Sequence, residues 1–201
     1  MMAGTHFYRS GDMPLPQVLH GHLWPLGAVR EQRAYLLLDS ARGGEAMAWL
    51  ERLAVDTQPF SLFQGGMAQA LGDVSPYLLP VAAERPDWAD LVQSLWQGGW
   101  GLFLTASGAP RDLARHLAGF VLHSLPAPDG IGQRTMIFRF WDARVLPLFL
   151  TSCPPERLEL FLGPVDGVWL PAPDGGLAHY GQRPGGGLLS RHWPPLPDKG
   201  A

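Results

Sequence analysis

The chain has 201 residues, a formal net charge of −3 and a sequence pI near 6.1, which argues against nucleic acid as the main partner because phosphate binding needs clustered cations. An apolar content of 46% is ordinary for a globular domain with its own core, whereas 25 glycines and 20 prolines indicate loop-rich flanks. A single cysteine excludes a disulfide framework and a thiolate metal site.

The chain starts without a basic segment followed by an apolar run, and no apolar stretch approaches the length that spans a bilayer. We therefore expect no membrane association and a cytoplasmic location. Only 16% of the residues are charged and eight are tryptophan. Aromatic anchors are enriched where proteins meet, so this composition favours a protein partner.

Residues 1–32 are predicted to form a mostly irregular N-terminal arm, because glycine and proline recur between Gly11 and Gly27. His20 and His22 could bind a metal if they occupied alternate positions of a strand. Two histidines without a third ligand are weak evidence, and most such pairs are incidental.

Residues 34–39 form a short apolar run, which predicts a strand buried on both faces. Asp39 ends it, at the position where open α/β sheets usually place their sites. Apolar periodicity then predicts a helix on Ala46, Trp49, Leu50 and Leu53, a strand at 60–63, and a strand at 75–81 containing Tyr77. Pro76 and Pro80 cannot donate to a ladder, so the strand of Tyr77 is predicted to be either irregular or at an edge of the sheet, where its backbone would be open to a partner.

The middle of the chain alternates between helix and strand signals. Helices are predicted at 86–97 and 110–122, a strand at 100–105 and a turn at 126–132. His116 is a lone histidine beside an apolar stripe, which is typical of a hydrogen-bonded core residue rather than a catalytic one.

The stretch from Met136 to Leu150 is predicted to organise the domain. Its first half, 136–141, alternates with apolar residues on both sides, which indicates an interior strand. Arg139 interrupts that pattern and needs an acceptor, for which Asp142 is the nearest candidate. Asp142 would also cap a helix beginning at Ala143, which Pro147 would interrupt, and Arg144 adds a second cation.

Residues 158–165 and 168–170 are predicted as two more strands, and 171–201 as a Pro/Gly-rich tail that is mobile or wrapped around a partner. Trp193 in this tail is a candidate anchor for that partner. The predicted fold class is α/β, a mixed or mostly parallel sheet flanked by helices, in a domain spanning 33–170 between irregular N- and C-terminal arms.

The sequence lacks a nucleophile elbow, a phosphate loop and a His-Glu-x-x-His motif, so we expect no cofactor and no metal. Asp39, Arg139, Asp142 and Arg144 could form a polar active site at the strand ends. The favoured interpretation is a buried ion-pair network that fixes the core.

Six motifs in order resemble the type VI secretion effector-adaptor (effector-chaperone) domain over about residues 33–165. They are Tyr35–Asp39, Leu62–Gly65, Ser75–Leu79 followed by a Trp-bearing helix, Leu104–Ser107, Leu113–Leu117 and Phe138–Leu146. The last motif contains Arg139, Trp141, Asp142 and Arg144, and Ala143 stands where that family usually has proline.

The resemblance implies a non-catalytic, bacterial, cytoplasmic adaptor that binds a toxic effector and helps load it onto the spike protein of the secretion needle. One alternative is a small enzyme or ligand-binding domain that uses the Asp39/Arg139/Asp142/Arg144 cluster. Another is a small-molecule sensor or a toxin-neutralising partner, which the sequence does not separate from an adaptor.

Overall fold

A computed structural model describes residues 13–26, 33–127 and 131–195. Helices in these ranges are α1 (Leu15–Leu23), α2 (Gly44–Ala54), α3 (Gly65–Leu71), α4 (Trp88–Gly98), α5 (Pro110–Ala118), α6 (Leu146–Ser152) and α7 (Pro155–Leu162), with single 3-10 turns at Ser40–Arg42 and Gly72–Val74. Strands are β1 (Arg33–Asp39), β2 (Phe60–Ser61), β3 (Pro76–Val81), β4 (Gly101–Ala106), β5 (Leu122–Pro126), β6 (Gln133–Ile137), β7 (Val165–Pro171), β8 (Leu177–Gln182) and β9 (Leu188–Trp193).

The main sheet has seven strands in the order β2-β3-β1-β4-β7-β8-β9, and every pairing among the described residues is antiparallel. The α/β class is confirmed, but the expected mixed or mostly parallel sheet is wrong. The alternation of helix and strand signals shows only that the connections are long, and a long connection can return a strand in either direction.

Both faces of the sheet are covered, as predicted for β1. Tyr35 and Leu37 point into a core that includes residues of α5, α6 and α7. Leu36 and Leu38 point to the opposite side, into a core shared with α1, α2 and α4. Alternate side chains of one strand therefore supply two cores.

The two helices predicted in the middle of the chain are confirmed, with shifted ends. The buried face of α4 carries Trp88, Leu91 and Leu95, and the helix ends before Gly99, whose φ of +59° suits a left-handed terminus. α5 ends at Ala118, four residues earlier than predicted, and β5 begins at Leu122.

The predicted interior strand at 136–141 is wrong. β6 ends at Ile137, is exposed along its length and pairs only with β5 in a separate two-stranded sheet. Phe140 and Trp141 are buried, but in irregular backbone, where Phe140 meets the Phe161 ring of α7 at a centroid distance of 5.5 Å. Their burial comes from the core between the main sheet and α5, α6 and α7, not from pairing within a strand of their own.

Two further assignments after this stretch are corrected. No helix begins at Ala143; α6 starts at Leu146 with Pro147 in its first turn, where a missing N–H costs nothing. Most of the predicted strand at 158–165 is α7, which buries Leu158, Phe161 and Leu162 on one face.

The two arms are folded where the structure describes them. Residues of the predicted N-terminal arm form α1, and residues of the predicted mobile tail form β8 and β9, which continue the sheet from β7. Glycines at positive φ, such as Gly175 and Gly186, close the hairpins on either side of β8. Residues 1–12, 27–32 and 196–201 of the two arms, and 128–130 of the predicted turn at 126–132, lie outside the described residues.

β3 is not an edge strand at Tyr77. Tyr77 pairs with Leu38 of β1 on one side and with Ser61 of β2 on the other. The two-residue β2 therefore covers β3 at Tyr77 and Leu78, and its pairing ends before Pro80.

Candidate functional site

Asp39 lies at the carboxyl end of β1, as predicted, and is almost completely buried. Its backbone N–H donates to the carbonyl of Trp100 at 2.8 Å, which ties the end of β1 to the start of β4. Arg139 Nη2 donates to Asp39 Oδ2 at 2.6 Å. The predicted partner of Arg139 was Asp142, so that pairing is corrected to Asp39.

Asp142 holds the second carboxylate of the cluster in the loop between β6 and α6. Its Oδ1 accepts from the backbone N–H of Arg144 at 2.9 Å and from Arg144 Nε at 3.0 Å, while its Oδ2 accepts from Arg144 Nη2 at 2.7 Å. The forked guanidinium and the carboxylate thus meet in the bidentate geometry that is strongest for this pair. Because Asp142 and Arg144 are only two residues apart in sequence, this ion pair fixes the local conformation of the loop between β6 and α6.

Arg42 joins the two pairs and was missed by the sequence reasoning. Its Nη2 lies 3.3 Å from Asp142 Oδ2, and its Nε lies 3.7 Å from Asp39 Oδ2. The available signal was its position three residues after Asp39, which a helical turn places on the same side. The arginine–aspartate cluster is therefore Asp39, Arg42, Arg139, Asp142 and Arg144.

In the arginine–aspartate cluster the acids are buried and the cations face solvent. The side chains of Asp39 and Asp142 are 2% and 4% exposed, whereas those of Arg139 and Arg144 are 46% and 72% exposed. Three guanidinium groups against two carboxylates leave one excess positive charge.

The hydrogen bonds from Arg144 lower the pKa of Asp142 to about 2, against the opposing effect of burial. A carboxylate held this far below neutral pH is a poor general base. The arrangement is suited to fixing the loop and presenting guanidinium groups at the surface.

The other predicted site residues lie outside this cluster or beneath it. The Tyr77 hydroxyl donates to the carbonyl of Gly72 at 3.1 Å. Trp141 is buried, with its ring edge-to-face with Phe63 at 6.1 Å, and so anchors the loop that carries Asp142. Trp193 lies on β9, four strands from β1 in the sheet order, and is not part of the cluster.

The histidines singled out in the sequence make structural contacts. His116 is hydrogen-bonded as predicted, through Nε2 to the carbonyl of Phe161 at 2.8 Å. His20 Nε2 lies 3.1 Å from the carbonyl of Ala83, and the ring of His22 stacks on Trp169 at 4.7 Å. Within the described ranges, no group of three or more His, Cys, Asp or Glu is placed to hold a metal ion.

A stack of aromatic rings on the β7–β9 side was not predicted. The ring of His179 lies 4.0 Å from that of Trp169, and Trp193 lies 4.8 Å from His22 on the same side of the sheet. Burial lowers the pKa of His179 to about 4. His179 and Trp193 belong to β8 and β9, in the segment predicted as a mobile tail, whereas Trp169 lies on β7 and His22 on α1.

Two surface cavities lie away from the arginine–aspartate cluster. One, of about 170 Å³, is lined by apolar residues of α1 together with Leu177, Trp193 and Pro194. Another, of about 530 Å³, is lined by Glu156, Glu159 and the loop between β8 and β9. Neither contains Asp39 or Asp142.

Comparison with known protein families gives one match. Residues 34–160, well over half of the chain, match the family described as "Domain of unknown function (DUF4123)". The chain belongs to the DUF4123 family. The DUF4123 match begins in β1 and ends in α7, so it contains the whole arginine–aspartate cluster, while β7, β8 and β9 lie beyond it.

No curated protein and no solved structure matches this DUF4123 chain. In the described ranges, no helix has both the length and the apolar character needed to cross a bilayer.

Proposed function

We propose that this DUF4123 protein is a non-catalytic adaptor of a bacterial type VI secretion system. It binds a toxic effector polypeptide in the cytoplasm and helps load that effector onto the spike protein of the secretion needle. No nucleic acid, membrane or cofactor has a part in this activity.

The observation that carries the proposal is the burial of both cluster carboxylates beneath guanidinium groups. Asp39 and Asp142 are nearly inaccessible and each is bound by an arginine at 2.7 Å or less. An enzyme that used these acids would need them to face a cleft where substrate could bind. Buried under their own counter-ions, they support a scaffolding role for the cluster and a function exercised through the surface.

Membership of the DUF4123 family and the six motifs of the effector-adaptor resemblance support the same proposal. The motif Phe138–Leu146 supplies three members of the arginine–aspartate cluster, and Tyr35–Asp39 supplies a fourth. The motifs that carry the resemblance therefore meet in one structural unit, which holds the loop after β6 against the end of β1.

The test is a pull-down of the tagged chain from its native host, with the neighbouring effector and spike genes intact. Recovery of both proteins at stoichiometric levels is the expected result. A strain lacking this gene should still synthesise the effector but fail to secrete it, and restoring the gene should restore secretion. Recovery of neither protein, together with normal secretion, would overturn the proposal.

A further inference from the structure

The hairpin of β5 and β6 is unusual in this molecule because it stands apart from the main sheet and exposes apolar side chains. Leu122, Leu125, Met136 and Ile137 are each at least 41% exposed. A two-stranded sheet with no third strand is at best marginally stable alone. Apolar residues in such a hairpin are typical of a surface that another polypeptide covers.

The hydrogen-bond register of the hairpin shows which backbone groups are directed outward. Phe138 donates to the carbonyl of Val121, and Ala127 donates to the carbonyl of Gly132. Bonded and non-bonded pairs alternate along an antiparallel ladder. The backbone N–H and C=O groups of Arg134 and Met136 are therefore hydrogen-bonded to β5. The same backbone groups of Gln133, Thr135 and Ile137 point away from β5.

The two outer edges of the hairpin are not equivalent. Pro126 falls at an outward-facing position of β5, where it has no N–H to offer, so that edge is interrupted. The edge of β6 keeps all three outward N–H groups. The open edge of β9 in the main sheet is different again, because its exposed positions are Ser190, Arg191 and His192 rather than apolar residues.

We infer that the outer edge of β6 binds an extended segment of the effector as a third strand. This inference rests on the proposed function and names the surface that performs it. Backbone groups of Gln133, Thr135 and Ile137 pair with the incoming strand. Met136 and Ile137 are adjacent in β6 and point to opposite faces, so apolar side chains on both faces of the incoming strand cover them.

Charge determines the chemistry of that segment. The acidic or basic side chains of β5 and β6 are His123, which is half-buried, and Arg134, which is exposed. Arg139, whose side chain is 46% exposed, follows two residues after β6. An effector segment with apolar residues and at least one acidic residue complements the edge of β6 and its two arginines, whereas a basic segment is repelled by them.

Thr135→Pro and Ser124→Pro form a matched pair of variants that test the edge. The two residues face each other across the hairpin, and both direct their N–H outward, so neither proline breaks a bond between β5 and β6. Binding of the effector encoded beside this gene should weaken at least tenfold in Thr135→Pro and stay within twofold in Ser124→Pro. Protection of the Arg134 and Met136 amides in the free variants verifies that the hairpin is intact.

Two further measurements complete the test. In the wild-type complex, hydrogen exchange should slow at the amides of Gln133, Thr135 and Ile137 but not at Ser124. Arg134→Glu should weaken binding about tenfold, whereas Arg111→Glu, on an exposed position of α5, should not.

Each outcome decides the inference. If Thr135→Pro and Arg134→Glu bind the effector as tightly as the wild type, the inference about the edge of β6 is overturned but the adaptor proposal stands. Absence of wild-type binding overturns the adaptor proposal and the edge with it. A free chain that sediments as a dimer, and as a monomer after Thr135→Pro, identifies a second copy as the occupant and also overturns the inference.

Discussion

Arg139 Nη2 lies 2.6 Å from Asp39 Oδ2, and these two residues are separated by 100 positions in the chain. The contact joins the end of β1 to the loop after β6, and only the carboxylate is buried. Water reaches Arg139 but not Asp39. Removing Arg139 should therefore change the free energy of unfolding by a different amount from removing the carboxylate of Asp39.

Arg139→Ala is expected to lower the free energy of unfolding by about 2–3 kcal/mol, since it leaves a buried carboxylate with only the longer contact to Arg42 among the described residues. Asp39→Asn should cost about 1 kcal/mol, because its amide oxygen can still accept from Arg139 and the guanidinium can hydrate. Urea denaturation at pH 7 measures both variants. Equal costs would contradict the burial of the acid.

Asp142 should make stability depend on acid. Its pKa is about 2 in the folded chain, against an ordinary value of 3.8, so protonation favours unfolding. The contribution, roughly 2 kcal/mol, is fully present above about pH 4 and is lost as the pH falls toward 2. Denaturation midpoints from pH 5 to pH 2 should fall less steeply in Asp142→Asn than in the wild type; parallel curves would argue against the ion pair with Arg144.

His179 should make stability fall at milder acidity. Its pKa is about 4 in the folded chain and 6.5 ordinarily, so the unfolded chain binds the proton first. The contribution of neutral His179 to the free energy of unfolding is fully present above about pH 6.5. It decreases by roughly 3 kcal/mol as the pH approaches 4. Arg191 and His22 act in the same direction. His179→Phe keeps an aromatic ring beside Trp169 and should flatten this part of the profile, measured as melting temperature between pH 7 and pH 4.

Trp193→Ala tests whether the end of the chain is part of the fold. The Trp193 ring packs against His22 at 4.8 Å and Trp169 at 5.8 Å, so the substitution should cost about 1–3 kcal/mol. Leu160→Ala serves as the control, since Leu160 is 65% exposed on α7 and its loss should change stability by about 0.5 kcal/mol or less. An unchanged melt for Trp193→Ala would restore the view of a loose tail.

Helices and strands whose buried side chains follow a regular apolar pattern within the element could be predicted from the sequence. β1, α2 and α4 lie within two residues of their predicted bounds, because an apolar run or an apolar stripe is visible in a short window. Asp39 was placed correctly at a strand end for the same reason.

Features that depend on distant contacts could not be predicted. The acceptor of Arg139 was sought beside it, at Asp142, although the true acceptor is Asp39. The antiparallel direction of the sheet follows from how long connections return, which no local pattern records. Leucines and Phe161 in α7 suit a short strand and a short helix equally well, and only packing against the sheet decides between them.

The position of β7 in the sheet has a consequence for synthesis. β4 is buried along its whole length, and its outer side is closed only when β7 pairs with it. During synthesis, about sixty residues after Phe103 must leave the ribosome before β7 can pair with the outer side of β4. If translation stops anywhere in this interval, the apolar strand β4 is left open to neighbouring nascent chains, and a product that ends after α7 is a candidate for aggregation.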